Sequence, residues 1–247
     1  MENGIPLEQA VEGGSRAYED APEAEESRGE RSKLASWLLI ASSWVFTLLI
    51  IFLGFFLVGI LELFGLSEDV SWELMGSLVY VAVLAMTVLY LHWDGDLGGT
   101  LQMFKIGSLG AGFIFLVGLP FMITVIDLVA TSIYDMLYIA LWGESSIPEM
   151  VYYVDDSEYD FIRALSFVSI VIAAPVVEEI LFRGYILDAI REMHGDVLAV
   201  LGSSVLFGLL HLEPYVVGMA TVGGIIYGIV RIKSGSLWPC IVSHMLW

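Results

Sequence analysis

The chain is poor in cysteine and in basic residues. It has a single cysteine, Cys240, so no intramolecular disulfide can form, and cysteine usage does not indicate a redox compartment. Only 10 Lys and Arg residues stand against 29 Asp and Glu residues, which gives a formal net charge of −19. The sequence has no basic stripe, and this excludes nucleic acid as a partner.

Long apolar runs dominate the remainder of the sequence. Hydrophobic residues make up 57% of the chain, and the mean hydropathy is +0.81. Several runs reach the roughly 20 residues that span a bilayer. We therefore predict an all-α fold, a polytopic transmembrane helical bundle of about seven spans surrounded by lipid. The predicted spans are 34–61, 74–92, 107–142 (too long for one straight crossing), 161–190, 197–212, 215–231 and 237–247 (too short to cross).

The acidic residues are concentrated in two polar segments. Residues 1–33 hold nine acids and four bases with few apolar residues, which predicts a disordered acidic cytoplasmic tail. Residues 143–160 hold six acids and no base, which predicts an acidic loop. These segments divide the chain into N-terminal transmembrane helices at 34–142 and a helical core at 161–247.

The basic residues predict the orientation in the membrane, because Lys and Arg are enriched in cytoplasmic loops. With seven spans and a cytoplasmic N-terminus, only Arg163 lies on the outer side. The residues that then lie on the cytoplasmic side are Arg28, Arg31, Lys33, Lys105, Arg191, Arg231 and Lys233. We expect a multi-pass protein of the plasma membrane with its N-terminus in the cytoplasm.

Two adjacent glutamates, Glu178 and Glu179, lie inside an apolar run. Ionisable residues within a membrane cost several kcal/mol each, so they are functional candidates. Glu179 and Arg183 are four residues apart on one helix face and can form an ion pair. Glu178 is rotated by ~100° from Glu179 and remains a spare carboxylate, a candidate general base. The alternative is a purely structural bridge between helices, with Glu178 paired to another span.

Pro175 lies three residues before Glu178. It has no amide hydrogen to donate to the carbonyl of Val171, so the helix is expected to kink there. A freed carbonyl at membrane depth needs water or another partner. A water-filled pocket beside Glu178 would satisfy that carbonyl.

His211 follows Phe207 by four residues, so the aromatic ring can pack against the imidazole and support its orientation. Glu178 lies 16 residues before His194, and His211 lies 16 residues after Gly195. If residues 194 and 195 form the turn of an antiparallel hairpin, the two side chains reach similar depth, roughly 20 Å from that turn. A His at the end of a span can also be merely interfacial.

His244 lies about nine residues beyond the turn at 234–236, which predicts a shallower position, ~13 Å from the cytoplasmic side. Peptide hydrolysis needs a base that activates water and a donor for the oxyanion. Glu178 with His211 could hold the water, and His244 could stabilise the oxyanion. Two His and one Glu also match a catalytic zinc set, but the spacing is not H-E-x-x-H. The metal-free interpretation is favoured, and no cofactor is expected.

Three motifs follow one another on the later spans: EExxxR at 178–183, FxxxH at 207–211, and the opening of HxxxN at 244. Their order and spacing resemble the CPBP family, the type II CAAX prenyl endopeptidases and bacteriocin-processing intramembrane proteases. The resemblance covers roughly residues 160–247. The printed sequence stops at Trp247, one residue before the Asn of the third motif, so we expect the last span to be truncated.

The resemblance implies a glutamate-dependent intramembrane protease without a catalytic metal. In that family pattern, Glu178 and His211 activate the water. Glu179 and Arg183 support the site, and His244 helps to form the oxyanion hole. The implied substrate is a peptide or protein, either with a prenylated CAAX tail or as a bacteriocin leader or another small membrane peptide.

Two other functions remain open from the sequence. The chain could be a non-catalytic member of the family, a membrane scaffold or immunity protein, or it could be a transporter or proton-coupled channel that uses the same carboxylates. Asp127, within the third span, could join the pocket or a proton path, or it could bond to another helix. The GxxxG pattern at 224–228 predicts close helix packing within the protein.

Overall fold

The computed structural model describes residues 33–93, Phe104, 117–143 and 160–247. Those residues form helices and no strand, which confirms the all-α fold class. The seven helices of the described ranges are α1 (Lys33–Leu63), α2 (Glu68–Trp93), α3 (Leu119–Trp142), α4 (Asp160–His194), α5 (Asp196–Leu209), α6 (Pro214–Ser234) and α7 (Trp238–Leu246). The predicted disordered tail, most of the acidic loop and the start of the third predicted span lie outside the described residues.

Five of these helices, α1, α2, α3, α4 and α6, are long and apolar enough to cross a membrane. Helices suit a bilayer because they satisfy every backbone donor and acceptor internally. The other two occupy predicted spans but are short: α5 has 14 residues and α7 has nine, fewer than the roughly 20 a crossing needs. The chain is thus an integral membrane helical bundle in which five of the seven predicted spans have full length.

Tryptophan hydrogen bonds show which helix ends lie together. The indole Nε1 of Trp37, near the start of α1, donates to Nε2 of His194 at 3.2 Å, beside the α4–α5 turn. The indole Nε1 of Trp238, at the start of α7, donates to the carbonyl of Phe104 at 2.8 Å, in the α2–α3 connection. Both contacts agree with the alternating helix order that the sequence predicts.

Helix α4 is not a uniform α-helix. Its residues Val168–Ala173 and Ile180–Ile186 are π-helical, and the α-helical segment Ala174–Glu179 lies between them. π-helical turns accommodate an extra residue and occur frequently at functional sites. Pro175 lies in the middle segment, two residues after the first π-helical segment ends, so it is inside α4 and not at a free helix N-terminus. The proline thus coincides with a change of helix type, and the kink expected there stays a prediction.

Helices α5 and α6 pack closely through glycines. A Cβ added at Gly224 would lie 3.0 Å from the Cβ of Ser204, and one at Gly228 would lie 3.2 Å from Cγ1 of Val200. The GxxxG pattern therefore serves packing within the protein, as predicted. Gly208, on the facing side of α5, is tighter still, because a Cβ there would lie 2.5 Å from the carbonyl oxygen of Val217.

A buried ion pair joins α4 to α6. Nη2 of Arg231 donates to Oδ2 of Asp188 at 2.8 Å, and Arg231 is only 1% exposed. The sequence-based orientation places Arg231 on the cytoplasmic side, and this remains a prediction. The structure adds that the guanidinium is enclosed between helices rather than exposed.

We expect Gly208→Ala to destabilise the protein by about 1–3 kcal/mol, because the new methyl group overpacks the α5–α6 contact. Gly59 on α1 is the matched control, because a Cβ there meets nothing within 4 Å. Gly59→Ala should be neutral or stabilising, since Ala is the better helix former. Thermal unfolding in detergent measures both variants. Equal midpoints for the two would contradict this account of the contact.

We expect Arg231→Met to destabilise the protein by about 3–5 kcal/mol, because it leaves the buried Asp188 carboxylate without its cation. The double variant Asp188→Leu/Arg231→Met should recover much of that loss, because it removes both charges. Unfolding midpoints of the single and double variants test this. A double variant less stable than the single one would refute it.

Candidate active site

A shared carboxylate oxygen lies at the centre of the candidate site. Oε1 of Glu179 accepts from Nη1 of Arg183 at 2.8 Å and from Nδ1 of His244 at 3.0 Å. Glu179 and Arg183 are both completely buried. The ion pair predicted from the i, i+4 spacing is therefore present, and it also anchors the imidazole of a third residue from α7.

Two aromatic rings enclose the Arg183 guanidinium. Its carbon Cζ lies 4.6 Å from the centroid of Phe207 on α5 and 5.6 Å from the centroid of Tyr227 on α6. A cation over an aromatic face is attracted to the ring, and the attraction is larger where water is excluded. The cation thus joins three helices, and Phe207 has a role beyond the predicted support of His211.

Glu178 differs from its neighbour in exposure. Its side chain is 24% exposed, whereas that of Glu179 is 0% exposed. Oε2 of Glu178 lies 3.7 Å from Nε2 of His244, and the carboxylate also interacts electrostatically with His211. Glu178 is therefore the carboxylate of the two that water or a substrate can reach.

His211 lies just beyond the end of α5, in the turn that leads to α6. Its ring packs edge-on against Phe207 at a centroid distance of 5.2 Å, as the spacing predicts. Nδ1 lies 3.2 Å from the carbonyl oxygen of Phe207. When Nδ1–H donates to that carbonyl, the neutral ring carries its lone pair on Nε2 and can act as a base there.

The backbone after His211 adopts a rare conformation. Leu212 has a φ of 60°, and the amide of Glu213 donates to the carbonyl of His211 at 2.6 Å, which closes a three-residue turn. Such left-handed turns are strained for a residue other than glycine. Glu213 then caps α6, since its carboxylate accepts from the amide of Val216 at 2.8 Å. The backbone that follows the His211 imidazole is therefore constrained by the three-residue turn and by the cap of α6.

His244 corrects the depth predicted from its distance along the chain. It contacts both glutamates rather than lying nearer the membrane surface. The chain is already enclosed before α7 begins: Ser236 is 6% exposed and Leu237 is 0% exposed, although Gly235 in the same turn is exposed. Counting residues from the turn therefore underestimates how far His244 reaches into the protein.

The hydrogen bond to Glu179 constrains the protonation of His244. A carboxylate can only accept, so Nδ1 must carry hydrogen. Nε2, which faces Glu178, then carries hydrogen only when the ring is an imidazolium cation. In that cationic form His244 presents an N–H donor toward the space beside Glu178.

Tyr227 is a site residue that the sequence did not indicate. Its ring lies 5.5 Å from that of His244 at an interplanar angle of 32°. Its hydroxyl donates to Oδ2 of Asp127 on α3 at 2.7 Å. Asp127 therefore bonds to another helix, one of the two possibilities predicted. In the sequence, Tyr227 stands inside the GxxxG pattern, and that pattern indicated helix packing but no role in the site.

Within 33–93, 117–143 and 160–247, no group of three or more His, Cys, Asp or Glu residues is placed to hold a metal ion. The four ionisable groups Glu178, Glu179, His211 and His244 are instead divided by their hydrogen bonds. Glu179 is bonded to Arg183 and His244, and Glu178 is the more exposed carboxylate, 3.7 Å from Nε2 of His244.

The chain is similar to known proteins over part of its length. The family model described as "Type II CAAX prenyl endopeptidase Rce1-like" matches residues 160–247. The chain is also similar to the "Putative membrane peptidase YdiL" of Bacillus subtilis (strain 168), with 30% identity over 120 residues, 44% of this chain and 49% of that protein. The match thus spans about half the length of that relative. No solved structure matches the chain. The region that is similar to this family, residues 160–247, contains both glutamates, Arg183 and both histidines of the site.

Proposed function

We propose that this protein is an intramembrane endopeptidase that hydrolyses a peptide bond with water activated by Glu178 and His211. The observation that carries the proposal is the contrast between two adjacent glutamates. Glu179 is buried and bonded to Arg183 and His244, whereas Glu178 is partly exposed and lies 3.7 Å from Nε2 of His244. A purely structural bridge would need only the first of these arrangements.

The proposed reaction adds water across the peptide bond. Glu178 takes a proton from a water molecule that Nε2 of His211 also holds, and the water oxygen attacks the carbonyl carbon. The oxyanion accepts a hydrogen bond from the protonated Nε2 of His244. The C–N bond then breaks, and the leaving amine takes the proton from Glu178. The products are a carboxylic acid and an amine.

Glu179 and Arg183 support this reaction without touching the substrate. Glu179 orients His244 through Nδ1 and stabilises its cationic form. Arg183 balances the charge of Glu179 and so partly offsets the repulsion between the two adjacent carboxylates. Two adjacent carboxylates can in this way serve different purposes.

The remaining parts of the proposal rest on the sequence. The mechanism requires no metal ion, and the cleavage takes place toward the cytoplasmic side, with the N-terminus in the cytoplasm. The substrate is a membrane-associated peptide or protein, either with a prenylated C-terminal cysteine or as a small unmodified membrane peptide. The family description names the prenylated class for the related proteins.

We expect Glu178→Gln and His211→Ala to lower kcat/KM by about 10²–10⁴-fold, because each removes a group that moves a proton. The assay is cleavage of a peptide library in detergent, half of it with a prenylated cysteine. Glu62→Gln and His92→Ala are the matched controls, since both residues are exposed at helix ends away from the site. Full activity of stable Glu178→Gln and His211→Ala proteins would refute the mechanism. No cleavage by folded wild-type protein would favour a scaffold or immunity protein.

We expect cleavage to persist after treatment with a strong chelator, because the proposed base and oxyanion donor are side chains. The measurement compares initial rates before treatment, after treatment and after addition of zinc. Activity that disappears with chelator and returns with zinc would replace this mechanism with a metal-dependent one.

A further inference from the structure

Asp127 lies in the middle of α3, outside the region that matches the family. It is only 2% exposed, in a helix long and apolar enough to cross the membrane. Burying a carboxylate inside a membrane-spanning helix costs several kcal/mol of free energy, so a specific function is expected for Asp127. The proposed reaction does not use it directly.

Helix α6 is shaped around this carboxylate. The Tyr227 hydroxyl donates to Oδ2 of Asp127. One turn earlier on α6, Gly223 leaves the necessary space, because a Cβ there would lie 3.3 Å from Oδ1 and 3.4 Å from Oδ2. Among the described residues, Oδ1 has no hydrogen-bond partner. The hydrogen bond that the Asp127 carboxylate accepts within the described residues is thus the one from the Tyr227 hydroxyl.

The Tyr227 ring carries this contact to the active site. It faces the His244 imidazole at 5.5 Å, and the Arg183 guanidinium carbon lies 5.6 Å from its centroid. A second contact joins α3 to the same imidazole-bearing helix: the hydroxyl of Ser243 donates to the carbonyl of Pro120 at 3.1 Å. Helix α3 therefore constrains His244 both through its backbone and through a neighbouring ring.

We propose that Asp127 is a positioning residue for the hydrolysis, which acts by fixing the Tyr227 ring against His244. This inference rests on the proposed role of His244 as the oxyanion donor. The hydrogen bond sets the position of the ring, and the ring then restricts the imidazole that Glu179 holds from its other side. Correct placement of Nε2 matters most in the transition state, when the oxyanion forms.

The first test separates kcat from KM. We expect Asp127→Ala and Tyr227→Phe to lower kcat on the order of tenfold and to leave KM unchanged. This loss is smaller than the ~100-fold that a 1 Å misplacement of a catalytic group can cause. Asp127→Asn should retain most of the activity, because its amide oxygen still accepts from Tyr227. The double variant Asp127→Ala/Tyr227→Phe should be no worse than either single variant, because all of them remove the same bond.

Thr131→Val is the matched control. Thr131 is buried one turn further along α3, and its hydroxyl bonds only within its own helix, to the carbonyls of Asp127 and Leu128. We expect wild-type kcat for this variant. An equal loss of kcat in Thr131→Val would overturn the proposal, because it would indicate a general effect on the helix. An Asp127→Asn protein as slow as Asp127→Ala would also overturn it, because it would indicate an effect of charge.

A second measurement does not depend on activity. Diethyl pyrocarbonate modifies accessible neutral imidazoles, and mass spectrometry gives the rate for each histidine. The measured quantity is the modification rate of His244 divided by that of the exposed His92. We expect this ratio to rise in Asp127→Ala and Tyr227→Phe and to keep its wild-type value in Asp127→Asn. Unchanged ratios in all three variants would overturn the positioning role, even if the wild-type protein cleaves no peptide. Changed ratios without any cleavage would instead support the contact and count against the proposed function.

Discussion

A completely buried guanidinium is the constraint on which the rest of this structure depends. Arg183 lies inside a membrane protein at 0% side-chain exposure, where an uncompensated charge would cost several kcal/mol. Its compensation comes from the Glu179 carboxylate on its own helix and from two rings on α5 and α6. Because Glu179 also accepts from His244 on α7, the neutralisation of one cation brings together four helices. The arrangement that makes the core stable therefore also orders the histidine of the site.

The division between the two glutamates follows from helix geometry. Adjacent residues of a helix point ~100° apart, so one face can enter a protein core while its neighbour borders an opening. Glu179 takes the enclosed direction and Glu178 the accessible one. The π-helical segments on either side of this pair alter the rotation of α4 before and after it. The short α-helical segment between them therefore sets the direction of both carboxylates. The packing faces of the rest of α4 do not depend on that direction.

Contacts within one helix were predictable from the sequence, whereas contacts that depend on the position of a turn were not. The Glu179–Arg183 pair and the Phe207–His211 packing follow from four-residue spacings, and both are present. The predicted depth of His244 relative to the glutamates was wrong, because residue counting assumes that the α4–α5 and α6–α7 turns lie at the same level. The ion pair of Arg231 was not predicted, since its partner Asp188 lies 43 residues away along the chain. The π-helical segments have no simple sequence pattern, so the shape of α4 could only come from the structure.

The contact between Asp127 and Tyr227 also bears on how such a protein can change over time. The family model begins at residue 160, yet the carboxylate that meets Tyr227 belongs to a helix that lies earlier in the chain. The region that the family model covers is thus smaller than the unit that packs together. Helix α3 is freer to vary where it faces lipid than where it faces α6, as Asp127 does opposite Tyr227 and Tyr134 does opposite Gly218. A substitution on one of these two helices therefore changes which substitutions the other can accept.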